Sequence, residues 1–203
     1  MKIVKLVCAL LLSACISVSH ANVIHVTDAS GNLLGAENVL VDGTLYDVAF
    51  SDGTCIALYK GCDEPSDFIF STRSLADLAS RALLDTVFID IVSGKFFDTQ
   101  HTLTNGCSTG IFCYVMTPYN MLADDGTFVS VAGSWIINYN AQFNQHDQIQ
   151  TPNYQHIIVD VSDVTNKTYA VWTKAVDVPE PGTVILLSLG LAGLSFSRYR
   201  KQS

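Results

Sequence analysis

Apolar and polar positions alternate with a period of two through much of the interior of this 203-residue chain, the spacing at which a strand buries one of its faces. Leu40 and Val41, then Asp42-Gly43, then residues 44–50 with Tyr46, Val48 and Phe50 on one side read as a β-hairpin. Asp-Gly supplies the positive φ angles that a type I′ turn requires. Asp52-Gly53 marks a second turn. Further strands are predicted over residues 87–92, 111–116, 127–131, 134–139, 156–161 and 168–173. One stretch changes period. Over residues 74–86, Leu75, Leu78, Ala79, Ala82 and Leu83 fall on a single helical stripe, and Ser74 with Asp77 three positions on predicts an N-terminal cap. Residues 142–155 are polar, contain Pro152 and read as a loop. The pattern predicts an α+β, β-rich fold: an antiparallel sheet or sandwich with one packed helix.

Both ends break the alternation. Lys2 and Lys5 lead into an apolar run over residues 6–18 that closes on Ser19, His20 and Ala21. Small residues at the first and third places of that triplet suit a signal peptidase, so cleavage is expected between Ala21 and Asn22. The run is too short to span a bilayer as a helix. Leu12-Ser13-Ala14-Cys15 also has the form of a bacterial lipobox, in which Cys15 would be lipidated instead. At the other end, Val178-Pro179-Glu180-Pro181 precedes an uncharged stretch, 183–197, and then Arg198, Arg200 and Lys201. The 17 residues between Glu180 and Arg198 span about 26 Å as a helix. That approaches the roughly 30 Å hydrocarbon core, and the terminal cations can snorkel across the remainder. Pro179 and Pro181 delay the helix start. A transmembrane helix is therefore predicted over 183–197. With cationic caps held in the cytosol at both ends, everything between them lies outside the inner membrane. The chain divides into a signal peptide (1–21), an exported domain (22–177) and a C-terminal anchor segment (178–203).

Composition narrows the function classes. Charged residues make up 15% of the chain and apolar residues 49%, with ten Phe, eight Tyr and two Trp, which excludes a disordered acidic tail. The formal charge is −8, and six Lys/Arg against eighteen Asp/Glu between Asn22 and Val178 leave −12 there. A nucleic-acid partner is excluded, because phosphate neutralisation needs a basic stripe. The 157 residues in that span suffice for one core. Four cysteines face an oxidising compartment. Cys55 and Cys62 are seven apart and Cys107 and Cys113 six apart, so the two local pairings are expected among the three connectivities, each closing a short Gly-containing loop. Zinc ligands would be more closely spaced.

The order Pro-Glu-Pro, apolar helix and basic tail, together with an N-terminal signal peptide, resembles the PEP-CTERM sorting signal of Gram-negative bacteria, a tail also named an ice-binding protein C-terminal domain. The resemblance covers about the last 26 residues. It implies export, processing at Pro179-Glu180-Pro181 by an exosortase-type enzyme, a precursor held in the inner membrane by the C-terminal helix, and a mature form in the periplasm, at the cell surface or in the extracellular matrix, with exopolysaccharide as a further partner. The runs Val41 to Val48, Asp52 to Cys55, Gly61-Cys62-Asp63 and Ser66-Asp67-Phe68 are similar to an ectodomain type that recurs among such proteins and has no assigned activity.

Catalytic patterns are missing from the sequence. None of His25, His101, His146 and His156 falls in a His-Glu-x-x-His spacing, Gly133-Ser134 lacks the nucleophile-elbow spacing, and no phosphate-binding glycine loop occurs. No catalytic residue, metal site or cofactor is expected. Two binding readings stay open for an adhesin: calcium through Asp63, Glu64 and Asp67, and a sugar-stacking platform from Trp135, Tyr139, Tyr154 and Trp172. Asp124 and Asp125 read as a solvated turn.

Overall fold

Asp42 and Gly43 take φ of 48° and 77°, and the hairpin they close joins β2 (Leu33–Val41) to β3 (Thr44–Ser51) with Val41 opposite Thr44. A computed structural model describes residues 22–91, 94–122, 130–140 and 146–176. The predicted signal peptide, the lipobox and the predicted C-terminal helix lie outside the described residues. Among these residues no helix is long and apolar enough to cross a membrane.

The remaining strands of the main sheet are β1 (Ile24–Thr27), β6 (Phe112–Leu122), β7 (Ser130–Tyr139), β8 (Gln148–His156) and β9 (Lys167–Lys174). They lie in the order β1-β2-β3-β9-β6-β7-β8. The expected antiparallel sheet is in fact mixed. Neighbours run antiparallel except β6 and β9, which pair parallel from Tyr114 opposite Lys167 to Met116 opposite Tyr169. The physical reason is connectivity: the chain after β8 crosses back along the sheet, so β9 enters beside β6 in the same direction. Two short strands, β4 (Asp90–Ile91) and β5 (Lys95–Phe96), form a separate ribbon.

Alternation sorts side chains onto two faces. Val48, Phe50, Val115, Ile136, Ala170 and Trp172 meet the helix α2 (Arg73–Thr86) through its buried Ala76, Ala79 and Leu83. Met116, Val131, Trp135 and Tyr169 point the other way and meet Cys55, Tyr59, Cys62, Phe68 and Val161. The second cover is a disulfide-closed segment containing the one-turn helix α1 (Cys55–Leu58). Tyr59 anchors it, donating its hydroxyl proton to the Ala170 carbonyl at 3.1 Å. With both faces of β7 covered, Val131 to Asn138 is buried without interruption.

Several local expectations are corrected. The helix starts one residue earlier than the period suggested, because Thr72, extended at φ −132°, accepts from the Leu75 amide and makes the cap in place of Ser74. Leu78 leaves the buried stripe and is exposed, since alanines at 76 and 79 bring that side of the helix closest to the sheet. Residues 148–155, read as part of a loop, form edge strand β8 together with His156, and Pro152 sits there at a register shift opposite Ser134 and withholds no rung. The strand expected over 156–161 ends at His156. Asp160 instead caps a turn of 3₁₀ helix, Val161–Asp163, by accepting from the Ser162 amide at 2.9 Å. Of the stretch expected as strand over 87–92, residue 92 lies outside the described residues and only Asp90–Ile91 of the rest is strand, because Val87 and Phe88 leave the helix end directly into the core.

Gly35 sits where a Cβ would stand 2.1 Å from the Val48 carbonyl oxygen of the neighbouring strand. Backbone cannot yield as a side-chain tip can. Gly35→Ala is expected to cost roughly 3 kcal/mol, read as a lower urea midpoint with unchanged slope. Cys55 is joined to Cys62 and Cys107 to Cys113. Reducing each bond releases a short loop and is expected to cost roughly 2.5 kcal/mol in the same titration.

Candidate functional site

Along α2, Arg73, Asp77 and Arg81 recur every four residues and so share one side of the helix. The edge strand β8 faces that side. Between them runs a groove of about 340 Å³ lined by Arg73, Ser74, Asp77, Leu78, Arg81, Ile149 and Thr151. Arg73 Nη2 donates to the Thr151 carbonyl at 2.6 Å, and its Nε lies 3.7 Å from Asp77 Oδ2. Thr151 Oγ1 donates to Asp77 Oδ1 and shares a second hydrogen bond of 3.0 Å with the buried Ser134 Oγ. An exposed ion pair of this kind contributes little stability. Its effect is positional, because one hydrogen bond to β8 and the pairing with Asp77, itself bonded to Thr151, hold the guanidinium over the groove. Burial raises the phenol pKa of Tyr119 on β6, Arg73 opposes that rise, and Tyr154 and Asp77 reinforce it.

The sequence pattern did not single out this groove. Its helix half was legible as a charged face, but its strand half was hidden in a polar, proline-containing stretch.

The candidates that the sequence did single out are dispersed. Trp135 and Trp172 are 3% and 6% exposed and belong to opposite faces of the sheet, so they cannot share a sugar platform. Tyr139 packs against Phe112, while Tyr154 on β8 is half exposed. Asp63, Glu64 and Asp67 serve a local turn. Asp67 Oδ2 accepts from the amides of Glu64 and Asp63 at 3.1 Å each, which holds its carboxyl below the usual value, and Glu64 accepts from Ser66. Among the described residues no group of three or more His, Cys, Asp or Glu is placed to hold a metal ion. His25 bonds the Val87 carbonyl and stacks on Phe97, His101 is fully buried with its pKa lowered by that burial, and His146 and His156 are exposed on β8 and the residues before it. A smaller polar hollow of about 270 Å³ includes Asp52, Thr104 and Gly106 beside the Cys107 disulfide. Asn22 precedes β1, whereas Ala21, Cys15, Asp124, Asp125, Val178, Pro179, Glu180, Pro181, Arg198, Arg200 and Lys201 lie outside the described residues.

Downstream of the sheet, β9 ends at Lys174 and the Ala175 amide makes a backbone bond to the Leu45 carbonyl at 3.0 Å. Val176 is 84% exposed. The next 25 residues, 177–201, match the model of the PEP-CTERM protein-sorting motif. The chain carries a PEP-CTERM protein-sorting motif. This motif directs exosortase-dependent sorting to the cell envelope, so the protein is exported and an exosortase is its processing partner. No curated protein and no solved structure matches the chain. The PEP-CTERM motif therefore states where the protein goes, and the folded domain that precedes it must be read on its own chemistry.

One ionisable group in that domain was not visible from sequence. Asp147 precedes β8, and burial raises its carboxyl pKa to about 6, opposed by the Tyr139 amide that donates to it at 2.9 Å and reinforced by the nearby Asp98. An unfolded Asp titrates near 3.9. Between roughly pH 4 and pH 6 the folded chain thus binds more protons at this site than the unfolded chain, so stability falls as pH rises through that window. Asp98, also raised by burial, acts in the same sense. Buried His101, its pKa lowered, acts in the opposite sense, so the test is a difference: relative to wild type, Asp147→Asn is expected to gain thermal stability at pH 7 compared with pH 5, and an identical pH dependence in the two proteins would assign it to other groups.

Proposed function

We propose that this protein is a non-enzymatic component of the cell surface or extracellular matrix, delivered as a disulfide-closed β domain (residues 22–177) and held in the inner membrane by a helix over 183–197 until an exosortase acts at Pro179-Glu180-Pro181. The observation that carries the reading is the junction. The last strand of the sheet ends at Lys174, and the sorting motif starts at residue 177, so the processing sequence follows the folded domain almost without a spacer. Both cystine bridges fit the oxidising side of that membrane. Burial of Trp135 and Trp172 in separate clusters removes the aromatic platform as support for an adhesin. The acidic body favours solubility once released.

Replacing Pro179, Glu180 and Pro181 together by alanine is expected to leave a heavier, unprocessed form in the inner-membrane fraction. Deleting residues 179–203 is expected to move the protein to the soluble exported fraction. Unchanged mass in the first variant would overturn processing at this motif, and membrane retention of the second would overturn the anchor.

A further inference from the structure

The smaller hollow, of about 270 Å³, opens where three loops meet at one end of the sheet. Asp52 follows β3, Thr104 and Gly106 follow a 3₁₀ turn (His101–Leu103), and Ser162 and Thr165 belong to the chain that leads into β9. Backbone bonds fix the three to one another and to the sheet. The Asn105 amide donates to the Leu33 carbonyl at 2.9 Å and its side chain to the Phe50 carbonyl at 2.7 Å. The Val161 amide donates to the Gly53 carbonyl at 3.1 Å, and the Ser108 amide to the Thr165 carbonyl at 2.8 Å.

The donors on offer are oxygens. Eight of the ten lining residues carry a side-chain hydroxyl, amide or carboxylate oxygen, none of the ten is Lys, Arg or His, and the Cys107 sulfur is tied up in its disulfide. Two of these oxygens lack a partner in a place where water is excluded. The Thr104 hydroxyl, on a side chain 2% exposed, and Asp52 Oδ1 are buried with no hydrogen bond among the described residues, and so is the hydroxyl of Thr168 near Asp52. A Cβ on Gly106, at φ 88°, would stand 2.2 Å from Asp52 Oδ1, so a bare Cα there leaves the carboxylate its place. Burial pushes the Asp52 carboxyl pKa up, Thr168 opposes that rise and Asp160 adds to it. Among the described residues no basic side chain pairs with Asp52.

A buried carboxylate oxygen without a donor is costly. Water supplies hydrogen bonds but no charge, and an anion is repelled by Asp52 and Asp160. A softer metal finds neither free sulfur nor imidazole in the lining. A hard cation answers the carboxylate and the neutral oxygens together. Calcium accepts about six to eight oxygens in irregular geometry, whereas magnesium demands a near-ideal octahedron.

We propose that this hollow is a calcium site, with Asp52 as its charged ligand, the Thr104 hydroxyl as a neutral one, and neighbouring oxygens and water completing the shell. One carboxylate among neutral oxygens sets it apart from carboxylate-rich sites and at the weak end of calcium affinities, about 10⁻⁴–10⁻³ M. Its loops lead out of β3 and into β9, so an ion bound there stabilises the folded domain. The assignment stands on the hollow and is independent of how the chain is sorted.

Isothermal titration of the full-length chain, stripped of metal with chelator, against calcium chloride tests it, with magnesium chloride in parallel. One calcium ion is expected to bind with a dissociation constant of about 0.1–1 mM, and magnesium at least tenfold more weakly. About 10 mM calcium is expected to raise the unfolding midpoint by several degrees. Asp52→Asn is expected to weaken calcium binding at least tenfold, yet to unfold no earlier than wild type in chelator, because the amide keeps the shape and removes a buried charge. Thr104→Val is expected to weaken binding several-fold. Asp67→Asn, in the acidic turn that serves its own backbone, is expected to leave affinity unchanged. Neither heat nor a midpoint shift at that calcium concentration, magnesium binding as tightly as calcium, equal affinity in Asp52→Asn, or an equal loss in Asp67→Asn would each overturn the proposal, the first assigning the hollow to water alone.

Discussion

Without Lys167–Lys174 the main sheet is two unconnected pieces, β1–β3 and β6–β8. β9 joins them by pairing with β3 from Tyr46 to Ser51 and with β6 from Tyr114 to Met116. Its side chains serve both cores at once, Ala170 and Trp172 beneath the helix and Tyr169 beneath the disulfide segment. Contacts between residues this distant in sequence carry a large loop-closure cost that is recovered only when the last strand docks. The fold therefore completes at its C-terminal end, two residues before the sorting motif begins.

The two covers of the sheet are held differently. On one side a 14-residue amphipathic helix presents alanines close to the strands, and packing fixes it together with the bonds of Arg73 and Asp77 to Thr151. On the other the chain between Cys55 and Cys62 is too short to bury much on its own, and a cystine, the Tyr59 hydroxyl and an aromatic cluster of Tyr59, Phe68 and Tyr169 hold it down. The helix side is also where the charge pattern of the domain is inverted. Arg73 and Arg81 face β8 across the groove, and Thr151, at the register shift of the edge strand, bonds both Arg73 and Asp77.

Local signals in the sequence were enough for the elements governed by local physics. Asp42-Gly43 specifies its own turn, Tyr46, Val48 and Phe50 share the helix-facing core, the single long helix sits within one residue of its expected start, and closely spaced cysteines found each other. What the sequence did not disclose depended on partners far along the chain. β8 has too few apolar positions to be recognised alone and exists because β7 offers it a ladder. Trp135 and Trp172 looked alike as aromatic strand residues, yet strand parity sends them to opposite faces. The groove needed both a helix face and that unrecognised strand, so only its helix half was readable. The PEP-CTERM motif was the reverse case, legible because proline, a carboxylate, an apolar run and a basic tail follow in a fixed order that needs no tertiary partner.

The position of β9 also decides how the domain answers to mechanical load. Tension on the chain beyond Val176 enters along the axis of a strand bonded to β3 from Lys174 to Tyr169 and then to β6 from Tyr169 to Lys167. Its rungs to β3 and β6 lie across that axis, so the pull is shared in shear by two ladders and is not concentrated on one rung at a time, as it would be in peeling an edge strand. A domain tugged from its C-terminal end would in this way resist from the middle of its sheet outward.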